Sequence, residues 1–165
     1  MDDPSGLTVA AEDPLGADLD LLFDRHVADM HADTPPESIH MLPRSALAAP
    51  GIAFLVMRDG GRPVGMGAVK RIGPKHGEIK SMHVLAEERG RGLSRRLLAA
   101  LVDHAAAAGF GRLSLETGAQ PSFAAARGLY AAEGFAECGP FEGYGPDPNS
   151  VFMTRSLQAL RERAV

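Results

Sequence analysis

The stretch Glu87-Glu88-Arg89-Gly90-Arg91-Gly92-Leu93-Ser94 decides the fold, because it joins a strand pattern to the strongest helix pattern in the chain. Over 78–85 the side chains alternate between two faces, as they do in a β-strand. From Leu93 to Ala105, apolar residues recur along one helical stripe. A glycine-bearing loop that opens directly into a helix brings unpaired backbone N–H groups and the positive end of the helix dipole together. The sequence therefore predicts an anion site here, of the kind that holds a diphosphate.

Strand and helix patterns alternate on both sides of this loop, which indicates an α/β or α+β fold. The predicted helices lie at 17–30, ended by Thr34-Pro35-Pro36, at 44–48, at 93–105, ended by Gly109, and at 121–132. The predicted strands lie at 7–11, 52–58, 63–72, 78–85, 112–116 and 150–157. In the strand at 78–85, Glu78, Lys80, Met82 and Val84 are expected to share one face. Strands 52–58, 63–72 and 78–85 should be antiparallel, and 112–116 should run parallel to 78–85 after a right-handed crossover.

Length and composition favour one globular domain over 1–165, with frayed tails at 1–6 and 158–165. The chain has 165 residues, and its 45% hydrophobic content is sufficient for a core of its own. Cys138 is the sole cysteine, which excludes an intramolecular disulfide and fits a cytoplasmic location. The net charge of −4 and the lack of a long apolar run predict neither nucleic-acid nor membrane binding. A homodimer is compatible with the sequence.

Two arginines strengthen the predicted diphosphate site. Arg89 and Arg91 would add charge-assisted donors of about 1.5–3 kcal/mol each on reaching a phosphate oxygen. The spacing does not match G-x-x-x-x-G-K-[ST], and Arg95 stands where a dinucleotide fingerprint has glycine. Nucleotide hydrolysis and hydride transfer are therefore disfavoured. The alternative interpretation is a helix N-terminus with solvated arginines.

Two motifs together resemble the GNAT superfamily of acetyl-CoA-dependent N-acetyltransferases. Arg89-Gly90-Arg91-Gly92-Leu93-Ser94 resembles its [Q/R]-x-x-G-x-[G/A] pyrophosphate loop, and 126–135 (ARGLYAAEGF) is similar to its A-x-x-L-Y-x-x-x-G-F segment. The resemblance covers about 64–157. Two positions depart from the family pattern: Ser94 replaces the usual Gly or Ala, and Phe123 stands where many members have an Asn that contacts the cofactor.

The resemblance implies a GNAT-like mixed, mostly antiparallel sheet, flanked by helices, in which a splayed parallel strand pair holds CoA. It also implies acetyl-CoA as cosubstrate, no metal, and direct transfer of the acetyl group to a primary amine of a small molecule or peptide. The residues that it assigns to the cofactor are Met82, His83, Val84, Arg89, Gly90, Arg91, Gly92, Leu93 and Ser94. The alternative function is a non-catalytic module that binds acyl-CoA as a sensor or scaffold.

The resemblance also suggests two catalytic residues. Glu78 precedes Arg89 by the interval that separates a catalytic glutamate from the loop in some members, so it is the candidate general base. Tyr130 corresponds to the family's helix tyrosine, which protonates or holds the departing thiolate. The competing interpretations are a surface Glu78 paired with Lys80 or a neighbouring strand, and a Tyr130 that only packs between neighbouring apolar side chains.

The acceptor is expected to bind between two polar, proline-containing loops at 33–40 and 138–149, although both could be purely structural. Their acidic residues would suit a cationic amine, whereas His40 and nearby arginines would suit an acid. Three other sites are disfavoured. These are a metal site at His26, His31 and His40, a nucleophilic Cys138, and a nucleic-acid patch at the arginines of 89–96.

Overall fold

The computed structural model describes residues 6–158, which contain a seven-stranded sheet of order β1-β2-β3-β4-β5-β7-β6. The strands are β1 Leu7–Ala11, β2 Ile52–Asp59, β3 Arg62–Gly73, β4 His76–Val84, β5 Arg112–Gly118, β6 Ala136–Cys138 and β7 Ser150–Ser156. Within this sheet only β4 and β5 are parallel neighbours. The mixed, mostly antiparallel sheet is thereby confirmed. Apart from Gly6 and Gln158, the tails expected at 1–6 and 158–165 lie outside the described residues, and the single-domain assignment stays a prediction.

Three α-helices flank the sheet in the described part of the chain: α1 Asp20–Asp33, α2 Leu93–Ala107 and α3 Ala124–Ala132. Short 3-10 turns occur at Ala17–Leu19, Pro36–Ser38, Arg44–Ala48, Ala86–Glu88 and Pro121–Phe123. The predicted helices at 17–30 and 121–132 therefore each begin with a 3-10 turn. The short edge strand β6 was not predicted, because three residues are too few for a recognisable alternation. No helix within 6–158 is both long enough and apolar enough to cross a bilayer.

The sheet carries a hydrophobic core on each face. In β2, Leu55 and Met57 belong to the core with α2, whereas Phe54 and Val56 belong to the core with α1. Packing of α2 against the sheet is close at Gly67, where an added Cβ would lie 2.7 Å from a methyl carbon of Leu101. The sheet is therefore held from both sides, and each fully buried leucine contributes about 1.5–3 kcal/mol.

The parallel strands β4 and β5 pair only at their beginnings. Their register runs from His76↔Arg112 to Glu78↔Ser114, although β4 continues to Val84 and β5 continues to Gly118. Beyond Glu78 the strands separate, while β5 stays paired with β7. The predicted splayed pair is confirmed, and it opens a gap in the middle of the sheet.

A β-bulge in β4 corrects the predicted alternation over 78–85. The β3–β4 register jumps from Ala68↔Lys80 to Met66↔His83, so β4 contains an extra residue. Ser81 lies in this bulge with φ 56. Ile79 and Val84, which regular alternation places on opposite faces, consequently both enter the core with α2. The expected common face for Glu78, Lys80, Met82 and Val84 is therefore wrong beyond the bulge.

Candidate functional site

A cleft of about 820 Å³ occupies the gap between the separated strands. It is defined here by the residues that line it from β4 and β5, from the loop before α2, from α3, and from α1 with the loop after it. They include 78–84, 115–118, 88–90, 92–95, 122–123, 125–126, 129–130, 29–30, 32–34, His26, Ser38, His40, Met41 and Asn149. The cleft thus joins most of the residues predicted for the cofactor with both predicted catalytic residues.

The loop before α2 has the backbone expected of an anion site. Gly90 and Gly92 have φ of 85 and 73, and Gly92 is the N-cap of α2 in the left-handed conformation. An added Cβ would have no neighbour within 4 Å at either glycine, so their backbone faces open space. The first turn of α2 leaves its N–H groups without intrahelical partners. Leu93 and Ser94, which the resemblance assigns to the cofactor, also line the cleft.

The two predicted phosphate-binding arginines differ in position. Arg89 lines the cleft, its side chain is 60% exposed, and its Nη2 lies 3.4 Å from Asp29 Oδ2. Arg91 does not line the cleft, because its guanidinium donates to Glu88 at 2.5 Å and to Asp59 at 3.0 Å. Arg95, one turn into α2, lines the cleft although the sequence-based site omits it. A partner as distant in sequence as Asp59 gives no local signal, so the sequence did not reveal the pairing of Arg91.

Phe123 fills space beside the end of β5. An added Cβ at Gly118 would lie 2.3 Å from Phe123 Cδ2, so only glycine leaves room for the ring in this position. Arg127 of α3 holds the same segment, since its Nη1 donates to the carbonyl oxygens of Gly118 at 2.6 Å and Gln120 at 3.0 Å. The Phe123 ring and the Arg127 guanidinium thus fix the wall of the cleft that α3 provides.

Tyr130 both packs in the core and lines the cleft. Its ring lies 6.1 Å from that of Phe135, and its hydroxyl lies 4.0 Å from Met82 Sδ. Burial raises the pKa of Tyr130 to about 12, and the charge of Glu116 adds to the effect. The phenol is therefore protonated at neutral pH and can donate a hydrogen bond or a proton.

Glu78 is not a surface residue, since it is 4% exposed. Its Oε2 accepts a hydrogen bond of 2.5 Å from the Tyr144 hydroxyl and lies 3.5 Å from Lys80 Nζ. Lys80 also donates to the Tyr144 oxygen at 2.9 Å and to the His40 carbonyl at 2.7 Å. The expected pairing with Lys80 is present, but within a partly buried cluster of Glu78, Lys80, Tyr144 and His40.

Glu116 is a cleft residue that the sequence interpretation missed. It lies on β5 opposite Phe152 of β7. Burial raises its pKa to about 7 against weaker opposing effects of Ser150 and Lys80. A signal was available, because Glu116 alternates with the buried Leu113 and Leu115. The predicted strand ends at Glu116, and the sequence pattern assigns no role to this residue.

The cleft has two chemically different sides. Glu78 pairs with Ser114, and Lys80 and Glu116 each follow two positions later, so these side chains share one face of the sheet. Leu115 and the ring of Tyr130 pack in the core with α2 on the opposite side. Carboxyl groups and a lysine therefore lie on one side of the sheet, and a phenol and the N-terminus of α2 lie on the other.

Both predicted acceptor loops meet on the carboxylate side. The ring of Tyr144 lies 5.0 Å from that of His40, and Asn149 Nδ2 donates to Ser38 Oγ at 3.3 Å. Ser38, His40 and Asn149 line the cleft. The loops predicted at 33–40 and 138–149 thus form one wall.

The three histidines of the disfavoured metal site lie in different surroundings. Across 6–158, no three His, Cys, Asp or Glu residues are arranged to hold a metal ion. His26 instead contacts His83 with ring centroids 5.4 Å apart, and burial lowers the pKa of His26 to about 4. Cys138 is a partly buried free thiol on β6, where burial raises its pKa.

Comparisons with known proteins agree with this geometry. Residues 19–135 match the family model described as "Acetyltransferase (GNAT) family". The chain is 43% identical over 155 residues to the IAA acetyltransferase of Azospirillum brasilense, covering 92% of this chain and 98% of that protein. It is 42% identical over 149 residues to the uncharacterized N-acetyltransferase YsnE of Bacillus subtilis (strain 168), covering 90% and 99%. A crystal structure from Klebsiella pneumoniae, assigned as an acyl-CoA N-acyltransferase, superposes with TM-score 0.76 at 30% identity, covering 93% and 99%.

Proposed function

Because the chain belongs to the GNAT family and is an acyltransferase, we propose that it moves an acetyl group from acetyl-CoA directly to a primary amine of a small molecule or peptide. The observation that supports this most is the gap between β4 and β5, which opens beside the N-terminus of α2 and connects the two sides of the sheet. Two substrates that enter from opposite sides of the sheet can meet there without a covalent enzyme intermediate.

The residues around the gap suit acetyl-CoA. Gly90 and Gly92 leave open space before the N–H groups of α2, where a diphosphate would be stabilised by the helix dipole. Arg89 and Arg95 would add positive charge, while Arg91 would contribute its backbone. Beyond Glu78, β4 has no strand partner on its β5 side, so N–H and C=O groups of 82–84 are available for the amides of an extended ligand. Acetyl-CoA supplies an activated thioester.

Tyr130 is proposed as the acid that protonates the departing thiolate. Its hydroxyl lies beside Met82 Sδ on the cofactor side of the gap, and its raised pKa keeps the phenol protonated. It is proposed to hold the developing thiolate by a hydrogen bond and to pass its proton to sulfur as the attacking nitrogen gives one up. One backbone N–H of the open β4 edge is proposed to polarise the thioester carbonyl. These groups act on charge that develops at sulfur and oxygen, where hydrogen-bond donors lower the barrier most.

The acceptor must lose a proton before it can attack. A lysine-like amine with a pKa of about 10.4 needs roughly 4.6 kcal/mol to become neutral at pH 7. Glu78 is the base proposed from the sequence, and Glu116 lies on the same face of the sheet. A carboxylate on this side can take up the proton directly or through a water.

A thiol-release assay tests the proposal. Acetyl-CoA is incubated with the protein and a panel of alkylamines, amino acids and lysine peptides, and its binding is measured by calorimetry. We expect acetyl-CoA binding and release of thiol that depends on one class of amine. Binding without acceptor-dependent release across the panel would favour the sensor or scaffold alternative.

A pair of glycine variants tests the location of the diphosphate. Gly92→Glu places a negative charge at the N-terminus of α2, and we expect it to abolish acetyl-CoA binding. Gly109→Glu is the matched control, because Gly109 also has a positive φ of 94 and open space around it but lies beyond the other end of α2. Equal acetyl-CoA affinities in the two variants would show that the cofactor binds elsewhere.

A further inference from the structure

We infer that Glu116 of β5, rather than Glu78 of β4, takes the proton from the ammonium group of the acceptor. This inference rests on the proposed acetyl transfer and assigns a catalytic residue to it. It further implies that the acceptor enters as a cation, since its ammonium group is recognised by the carboxylate that deprotonates it.

The position of Glu116 suits this role. The last β4–β5 pair is Glu78↔Ser114, so Glu116 is two residues beyond the point where the strands separate. Its side chain shares the acceptor-side face with Glu78 and borders the gap. An amine that enters from this side reaches Glu116 at the gap itself, where the thioester is proposed to lie.

Glu78 is less available for proton transfer. It is 4% exposed, and its Oε2 is held by the Tyr144 hydroxyl and by the Lys80 ammonium. A proton arriving at this oxygen would have to displace one of these donors. Glu116 retains partial exposure, and among the described residues no lysine or arginine lies within salt-bridge distance of it.

The titratable groups around Glu116 come from three elements. They are Glu78 and Lys80 on β4, Tyr130 on α3, and Tyr144 and Asp147 in the loop before β7. Lys80 is shared with Glu78 and Tyr144, so it offsets the negative charge only in part. Burial is the main cause of the raised pKa, and with these neighbours it leaves Glu116 with a pKa of about 7, near the ambient pH, which is the most effective value for a general base.

The protons balance over one cycle. An N–H bond of the ammonium breaks and an O–H bond forms on Glu116, which frees the nitrogen lone pair to attack the thioester carbon. As the C–S bond breaks, Tyr130 gives its proton to sulfur. After the C–N bond has formed, the nitrogen loses a second proton, and this proton returns to the Tyr130 phenolate. Glu116 releases its proton to solvent before the next turnover.

The test compares pH profiles of kcat/KM for the wild type, Glu116→Gln and Glu78→Gln. The acceptor is the panel amine that gives most thiol release, at saturating acetyl-CoA. In the wild type, kcat/KM should rise through an apparent pKa near 7 and then level off. Glu116→Gln should lose about 100-fold or more at pH 7. Its profile should instead follow the free amine, rising tenfold per pH unit to the amine's own pKa.

Three controls separate this role from a structural one. Glu78→Gln should retain the wild-type plateau, because Glu116 is intact. Glu116→Asp should restore the plateau at a reduced rate, since it keeps a carboxylate. Glu137→Gln, on an exposed position of β6, should behave as wild type. Acetyl-CoA affinity measured for every variant reports whether the cleft is intact.

Two results would overturn the inference. The first is a Glu116→Gln profile with the wild-type plateau and rate. The second is loss of the plateau in Glu78→Gln but not in Glu116→Gln, which would return the base to Glu78. Absence of acceptor-dependent release in the wild type would instead overturn the proposed function itself, so the two failures are distinguishable.

Discussion

The sequence left Tyr130 with two alternatives, packing between apolar side chains or lining the active site. The structure shows that its ring packs on Phe135 and also borders the cleft. Tyr130→Phe keeps the ring and removes only the hydroxyl, whose nearest partner is a sulfur 4.0 Å away. We therefore expect kcat to fall at least about 10-fold, because an acid is lost from the leaving-group side. Acetyl-CoA affinity by calorimetry should change by less than about threefold. An unchanged kcat would leave Tyr130 with a packing role alone.

Ionisation of Glu116 should lower the free energy of unfolding as pH rises, whereas most carboxylates in folded proteins lower it as pH falls. Its folded-state pKa of about 7 lies above the ordinary glutamate value of 4.5, so between these values the folded protein binds more protons than the unfolded one. Stability consequently falls as pH rises through this window, by about 2–3 kcal/mol in total. Relative to the wild type, the free energy of unfolding of Glu116→Gln should therefore be higher at pH 8 than at pH 5 by that amount, as measured by urea unfolding at both pH values. The same pH dependence in both proteins would mean that Glu116 is ionised at pH 5.

At the scale of the element, periodicity predicted the regular strands and helices, because apolar spacing follows burial. The bulge at Ser81 was not predictable in this way. Serine has no intrinsic preference for its φ of 56, so the surrounding strands must impose it. The separation of β4 from β5 was expected only through the resemblance of the loop at 89–94 to a known family. Arg91 and Glu116 took unexpected positions because their surroundings include contacts far away in sequence.

The N-terminus of α2 depends on the left-handed backbone of Gly92. Gly92→Ala meets no neighbour within 4 Å, so its cost is the backbone strain of φ 73, about 1 kcal/mol. Gly128→Ala is the matched control, because Gly128 lies inside α3, also has open space, and has no positive φ. That variant should gain about 0.5–1 kcal/mol. Denaturant unfolding should thus give opposite signs for the two substitutions, and equal signs would contradict the assigned backbone of the loop.

The contact of α1 with β4 should weaken in acid. His26 of α1 is buried against His83, and its pKa of about 4 lies below the ordinary histidine value of 6.5. The unfolded chain therefore binds more protons between these values, and stability is lost as pH falls below 6.5. At pH 5 the loss is about 2 kcal/mol. In His26→Gln the unfolding free energy should drop less between pH 7 and pH 5, and an equal drop would assign the acid sensitivity to other groups.

At the scale of the whole molecule, the cleft lies where the two cores meet, because β4 contributes Ile79 and Val84 to one core and Leu85 follows it into the other. A ligand in the gap would therefore restrain both halves of the sheet. Acetyl-CoA at 100 times its Kd should add about 2.7 kcal/mol to the free energy of unfolding. For a chain of 165 residues this corresponds to a rise in Tm of about 5–10 °C.

The pattern of protection identifies where that stabilisation arises. Hydrogen exchange should slow most in β4 beyond Glu78, in the loop at 89–94 and in α3, while the edge strand β1 changes little. Pantetheine, which lacks the diphosphate, should protect β4 but not the loop, because only the diphosphate interacts with the N-terminus of α2. Acetyl-CoA that raised Tm without protecting this loop would have to bind at another surface, and the proposed route through the sheet would then be wrong.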